Sequence, residues 1–418
     1  MFLAKKWVIL IKKESESLVF TGLEIPRNYS KKTEDNMKSY EWIAPCHFGT
    51  EAVCKKEVQR LGYDITQVED GKVTFSGGID AMCRANINMR TTERILLKVA
   101  SFEATTFDEL FENTKRIPWE ELIPRNGRFW VAKANSVKSK LFSPSDIQSI
   151  MKKAMVERLK EHYRISWFPE DGEDYPIRVT IVKDHVTIGL DTTGASLHKR
   201  GYRKWTVKAP ITETLAASLI MLTPWKWDRI LVDPFCGSGT IPIEAAMIGA
   251  GIAPGMNRHF LSEQWTSMKP AKYYEEAFCE AQDNIRTDVE MNIQGYDIDD
   301  ECVRMSLANA RLAGVDKYIH FQRRPVEELR NPKKYGFIIT NPPYGERLED
   351  KAEVHRLYTA IGQAFGGLDS WSYYIITAFE DAERYIGKKA DKNRKLYNGM
   401  MKTYFLQYMG PKPPRREK

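Results

Sequence analysis

From residue 205 onward, short apolar runs and helical stretches take turns. The runs are RILVD, NIQGYD, YIHFQ, GFIIT, YYIIT and KTYFLQYMG; between them lie IPIEAAMIGAG, ECVRMSLANARLAG and EVHRLYTAIGQAF. Strands this short and this apolar are buried on both faces, and strands joined through helices run parallel. The pattern predicts a doubly wound parallel α/β sheet over residues 205–410. It also predicts where a ligand goes, because open sheets of this kind bind at the carboxyl ends of their strands.

Upstream, residues 38–100 and 101–204 each mix strand and helix signals into a small α+β module. In the first, ITQVEDGKVTFSGG predicts a hairpin turning at Asp70-Gly71. In the second, SPSDIQSIMKKAMVERLKEHY predicts a helix capped by Ser143, with Pro144 at its first position and Asp146 completing an S-x-x-D box. A strand pair around Lys183-Asp184 follows. Residues 1–37 read as an extension outside the fold, with Met37 as the natural start. Residues 411–418 read as a disordered tail.

Composition excludes some classes. The 418 residues are 42% hydrophobic and 28% charged, and no apolar run is long enough to cross a bilayer. The six cysteines show neither a C-x-x-C pair nor zinc-like spacing, and the seven histidines form no metal cluster. Scattered thiols suit a reducing cytoplasm. The net charge of +7 leans weakly toward the N-terminal half, which tolerates a polyanionic partner.

Three motifs fall at predicted strand ends. LVDPFCGSGTIPIEAA (231–246) ends a strand at Asp233 and enters a helix near Gly239, setting Cys236, Gly237, Ser238 and Gly239 against a ligand at a helix N-terminus. The loop lacks G-x-G-x-x-G, and its leading acid suits a ligand that carries positive charge. Asp297, at the end of the next strand, can accept both hydroxyls of a ribose. Asp299 is placed to cap the helix after it. In GFIITNPPYGERL (336–348), Asn341 and the Pro342 carbonyl offer two acceptors, neither Pro342 nor Pro343 brings an N–H, and Tyr344 offers a flat ring. Two acceptors and a ring are what an exocyclic amino group on a planar base requires. Pyrimidine C5 chemistry, which needs a cysteine nucleophile near the base, has none at this strand end.

The stretches 197–217, 233–246 and 341–348 together resemble class I S-adenosylmethionine-dependent RNA methyltransferases with a THUMP domain, in particular bacterial 23S ribosomal RNA guanine-N2 methyltransferases. The resemblance covers residues 38 to about 410. It implies a ferredoxin-like module over 38–100, a THUMP RNA-binding fold over 101–204 and a Rossmann-like methyltransferase domain over 205–410. It further implies that Asp233, Gly237 and Gly239 line the methionine end of S-adenosylmethionine, Asp297 holds its ribose, and Asn341 through Tyr344 hold the target base. Many relatives bind the adenine through an Asp at the end of the third strand. Here Pro325 stands there, which leaves the Val326 backbone or Glu327.

For RNA contact, KSKLF (138–142) offers Lys138 and Lys140. HKRGYRKW (198–205) offers Lys199, Arg200, Tyr202 and Arg203. The expected activity is methylation of guanosine N2 in 23S ribosomal RNA. Two alternatives stay open: the same catalytic domain acting on tRNA guanine N2 or adenine N6, and a non-catalytic RNA-binding ribosome assembly factor.

Overall fold

A computed structural model describes residues 38–207, 210–344 and 351–414. The readings of 1–37 as an extension and of 415–418 as tail lie outside those residues, as do 345–348 of the third matched stretch.

The N-terminal part runs β1 (Tyr40–Pro45), α1 (Glu51–Arg60), β2 (Asp64–Glu69), β3 (Lys72–Gly77), α2 (Ile79–Asn88), β4 (Leu96–Glu103), α3 (Phe107–Arg116), β5 (Arg128–Val137), α4 (Pro144–Tyr163), β6 (Asp174–Val182) and β7 (His185–Asp191). The turn at Asp70-Gly71 joins β2 to β3, and the Lys183-Asp184 turn, with both residues at positive φ, joins β6 to β7. Ser143 accepts a hydrogen bond from the Asp146 backbone, as the cap pattern predicts. These strands form a single sheet, ordered β2-β3-β1-β4-β7-β6-β5, so one hydrogen-bonded surface runs through both α+β modules.

The second part adds α5 (Glu213–Met221), β8 (Leu231–Asp233), α6 (Thr240–Gly249), α7 (Ala271–Asp283), β9 (Ile293–Asp297), α8 (Asp300–Leu312), β10 (Ile319–Arg323), β11 (Phe337–Thr340), α9 (Lys351–Gly366), β12 (Ser372–Thr377), α10 (Ala382–Ile386), β13 (Lys392–Asn398) and β14 (Met401–Tyr408). The sheet order is β10-β9-β8-β11-β12-β14-β13. Side chains alternate between two cores. Leu231, Phe337, Ile339, Tyr374 and Ile376 meet residues of α5, α6 and α8, while Val232, Ile338, Tyr373 and Ile375 meet residues of α9. Both faces are covered, which is why these strands read as unbroken apolar runs.

The sheet is not wholly parallel. β14 pairs antiparallel with β12 and with β13. The sequence pattern passes over β13 because KNRKLYN is an edge strand, and edge strands carry charge rather than an apolar run.

Residues 253–281, which connect α6 to β9 through α7, pack on the first sheet rather than the second. Trp265 stacks on Tyr175 at 5.0 Å between ring centroids and donates its indole N–H to the Asp174 carbonyl. Gly255 donates its backbone N–H to Ile87, and a Cβ at that position would lie 2.6 Å from the Ile87 Cα. This strap ties the two sheets together. Trp265→Ala should therefore lower stability by about 3–5 kcal/mol, the usual effect of emptying a buried tryptophan site. Denaturant unfolding checks this, and an unchanged midpoint would refute it.

Candidate functional site

The three strand-end motifs meet at one edge of the second sheet. β8 delivers Asp233, 1% exposed, whose Oδ1 accepts hydrogen bonds from the Thr340 hydroxyl (2.6 Å) and the Phe235 backbone N–H (3.2 Å). β9 delivers Asp297, which accepts from the Gly237 N–H (2.9 Å) and the Asp299 N–H (3.0 Å). Asp299 also caps α8, accepting from Glu301.

Burial pushes the Asp233 carboxyl up from 3.8 to about 7; its two hydrogen bonds oppose the shift, and the charge of Asp297 adds to it. Burial likewise raises Asp297. Neither carboxylate has an ion-pair partner from Lys or Arg among the described residues. Two desolvated acids side by side are electrostatically unfavourable until a cation joins them.

Between them runs the glycine loop. Gly239 is the N-cap of α6 at φ +85°, and a Cβ there would lie 3.0 Å from the Ser306 Cβ, so both conformation and space demand glycine. From α8, Ser306 donates to the Gly237 carbonyl (2.8 Å) and Asn309 donates to the Ser238 carbonyl (3.0 Å). The Ser238 hydroxyl is buried and without a partner among the described residues. Cys236 is 6% exposed, and burial with the nearby Asp233 and Asp297 charges pushes its thiol well up. That environment suits a packing residue, not a nucleophile.

Asn341 follows β11 on the same edge. It is 7% exposed, and its Oδ1 has no hydrogen-bond partner among the described residues. Buried carbonyl oxygens are almost always paired, so this acceptor is held open for something that donates. Val207, Ile211, Asp233, Phe235, Gly237 and Asn341 border a common cleft. Tyr344 departs from expectation. It is 5% exposed and its hydroxyl accepts from the Asn398 amide at 3.3 Å, so its ring is not an open stacking face. Val326 is buried at the start of a helical turn (Val326–Glu328) capped by Pro325, just past β10.

The basic strings divide. Lys138, Lys140 and Lys199 are exposed. Arg200, Tyr202 and Arg203 face inward, which corrects their reading as RNA contacts. Arg200 is 2% exposed and donates to the Leu197 and Arg90 carbonyls. Tyr202 is 3% exposed and donates to Glu244. Arg203 pairs with Glu213 at 2.8 Å. These three fasten the connection between the sheets to α5 and α6, where their charge is neutralised or spent on backbone carbonyls.

Three positioning residues escape the motif reading: Thr340, Ser306 and Asn309. Ser306 and Asn309 lie three residues apart on α8, a spacing that puts two small polar groups on one face.

Comparison with known proteins places this geometry in a group. An RMKL-like methyltransferase domain family matches residues 200–407, an RlmL ferredoxin-like domain matches 41–96, and a THUMP domain matches 104–191. YpsC of Bacillus subtilis, named by inference as an RNA methyltransferase, is 47% identical over 91% of this chain and 99% of its own. The ribosomal RNA large subunit methyltransferase K/L of Syntrophotalea carbinolica is 31% identical over 88% of this chain but 53% of its own, so this chain spans about half of that protein.

Among solved structures, a possible methylase from Clostridium difficile 630 is 53% identical and superposes with a TM-score of 0.87, covering 91% of this chain and all of its own. SMU.472, a methyltransferase by inference and solved with SAH, is 41% identical with a TM-score of 0.84, over 90% of this chain and all of its own. A Listeria monocytogenes protein described as a predicted N6-adenine-specific DNA methylase is 47% identical with a TM-score of 0.83, over 90% and 97% of the two chains.

Proposed function

The chain belongs to the RMKL-like methyltransferases that carry ferredoxin-like and THUMP modules, and from that premise we propose that it methylates the exocyclic N2 of a guanosine in 23S ribosomal RNA, in the cytoplasm, using S-adenosylmethionine. The observation that carries this reading is the buried Oδ1 of Asn341, unpartnered among the described residues, on the same strand-end edge as Asp233 and Asp297. SMU.472, solved with SAH, supports the choice of cofactor. The K/L relatives support ribosomal RNA as substrate.

The residues present fit the cofactor. Asp233 is a buried acid without a cation partner among the described residues, and Asp297 is a strand-end acid beside a glycine loop. Asp233, Gly237 and Gly239 would hold the methionine end, Asp297 the ribose, and the Val326 backbone the adenine. When bound, the cofactor supplies an electrophilic methyl group on a sulfonium. The chain's own work is placement. The guanine N2 lone pair is delocalised into the ring, so Asn341 Oδ1 and the Pro342 carbonyl take its two N–H groups. They thereby favour a pyramidal nitrogen and stabilise the positive charge that develops on it. The methylated amine is acidic enough to release its proton to water, and no strong base is required.

The test compares ribosomal and transfer RNA, isolated separately, from cells with and without this protein by nucleoside mass spectrometry. Loss of N2-methylguanosine from large-subunit RNA is expected. Loss of a tRNA or adenine modification would keep the chemistry and overturn the substrate. An unchanged profile, with no cofactor binding by calorimetry, would favour an RNA-binding assembly factor.

A further inference from the structure

The β13–β14 hairpin reaches past the sheet beside the candidate site. Thr377, the last residue of β12, pairs with Tyr404, so residues 398–403 project beyond the carboxyl ends of the strands, on the edge that carries Asn341. Asn398 and Met401 close the ladder, Gly399 supplies a positive φ, and Met400 sits at the tip. Met400 is 98% exposed, whereas Met82, Met151 and Met155 are fully buried.

The hairpin is braced from two sides. Asn398 donates to the Tyr344 hydroxyl. Arg394 donates to the Gly49 carbonyl at 2.9 Å, and Tyr397 meets Phe48 edge-on at 5.7 Å, both contacts reaching the β1–α1 turn. Met400 is two residues from the side chain that holds Tyr344, within about 7–8 Å along the backbone. Lys392 and Lys395 are exposed on β13 and Lys402 on β14, the last paired loosely with Glu380 at 3.8 Å. An apolar tip on a braced, basic hairpin beside a base-binding motif calls for an occupant.

Resting on the function proposed above, we propose that Met400 is a positioning residue that enters the base stack of the RNA and fills the gap left by the target nucleotide. The chemistry demands such a gap. The lone pair of an exocyclic amine projects from the faces of the ring, and in a stacked strand the neighbouring bases cover both faces. The target base must therefore leave the stack before its nitrogen can be alkylated. An apolar side chain between the neighbours offsets their lost contacts, and methionine, unbranched and polarisable, adapts to whichever bases flank it. The lysines hold the phosphates on either side.

The test uses the full chain with RNA from cells lacking the protein, as separate ribosomal and transfer fractions, and single-turnover methyl transfer at saturating enzyme. Met400 is exposed, so its replacement leaves the fold intact. Met400→Ala should slow transfer about tenfold, with cofactor affinity unchanged and RNA affinity within about twofold, and Met400→Leu should restore most of the rate. A wild-type rate in Met400→Ala, a loss seen only as weaker RNA binding, or failure of Met400→Leu to rescue would overturn the wedge. If the wild type labels tRNA or adenine instead, the substrate assignment falls while the comparison of variants still reads the wedge. If it labels no RNA, both fall.

Discussion

Asn341→Ala should bind S-adenosylmethionine within about twofold of the wild type and lose at least about a hundredfold in turnover. The two halves of this expectation rest on different observations. The proposed cofactor binding rests on acids and glycines of β8, β9 and the loop between them, none of which hydrogen-bonds to Asn341 Oδ1 among the described residues. In the proposed mechanism, turnover depends on an acceptor that aims the amine and stabilises positive charge on its nitrogen, and deleting one such preorganised group in a buried site removes about 3 kcal/mol of transition-state stabilisation. Stability gives the control. Because Oδ1 makes no hydrogen bond among the described residues, alanine forfeits none there, and the melting temperature should hold. Calorimetry, single-turnover kinetics and thermal unfolding on one preparation separate the outcomes. Normal turnover would remove Asn341 from the catalytic role, and a large drop in melting temperature would recast it as structural.

How much of this was legible beforehand follows from what each residue's signal depends on. Asp233, Gly239, Asp297 and Asn341 could be placed because each ends a strand or opens a helix, and the polarity of a doubly wound sheet sends all such positions to one edge. Thr340, Ser306 and Asn309 could not. Their types are common on strands and helices, and their roles arise only when β11 lies beside β8, bringing Thr340 to Asp233, and when α8 packs across the glycine loop. The string HKRGYRKW failed differently. A basic run predicts a solvated face, but here it crosses between two sheets, and Glu244, Glu213 and backbone carbonyls supply the partners that let Arg200 and Arg203 turn inward. Charge along the sequence does not reveal whether a second surface closes over it. β13 was missed for a related reason: an edge strand is recognised by its neighbour, not by its own hydrophobicity.

Asp233→Asn should abolish measurable cofactor binding and, in the absence of cofactor at pH 8, make the protein more stable. The sign follows from the raised carboxyl. A group that titrates at 3.8 when exposed and at about 7 when folded contributes stability fully below about pH 4, and loses it as pH rises through 7. At pH 8 the apo fold therefore carries an ionised, desolvated carboxylate with no Lys or Arg paired to it among the described residues. Asparagine keeps an oxygen to accept from Thr340 and Phe235 while removing the charge, a gain on the order of 1–3 kcal/mol that shrinks as pH falls below 7 and vanishes below about pH 4. Cofactor affinity runs the opposite way. Only the carboxylate can serve a cationic group, so wild-type affinity should weaken toward tenfold per pH unit below 7. Isothermal titration at pH 6, 7 and 8, with thermal unfolding of the apo proteins, reads both effects. A variant that binds cofactor like the wild type would exclude Asp233 from the site. One that binds nothing and is also less stable at pH 8 would mean that Asp233 holds the strand end for packing, with the raised carboxyl incidental to function.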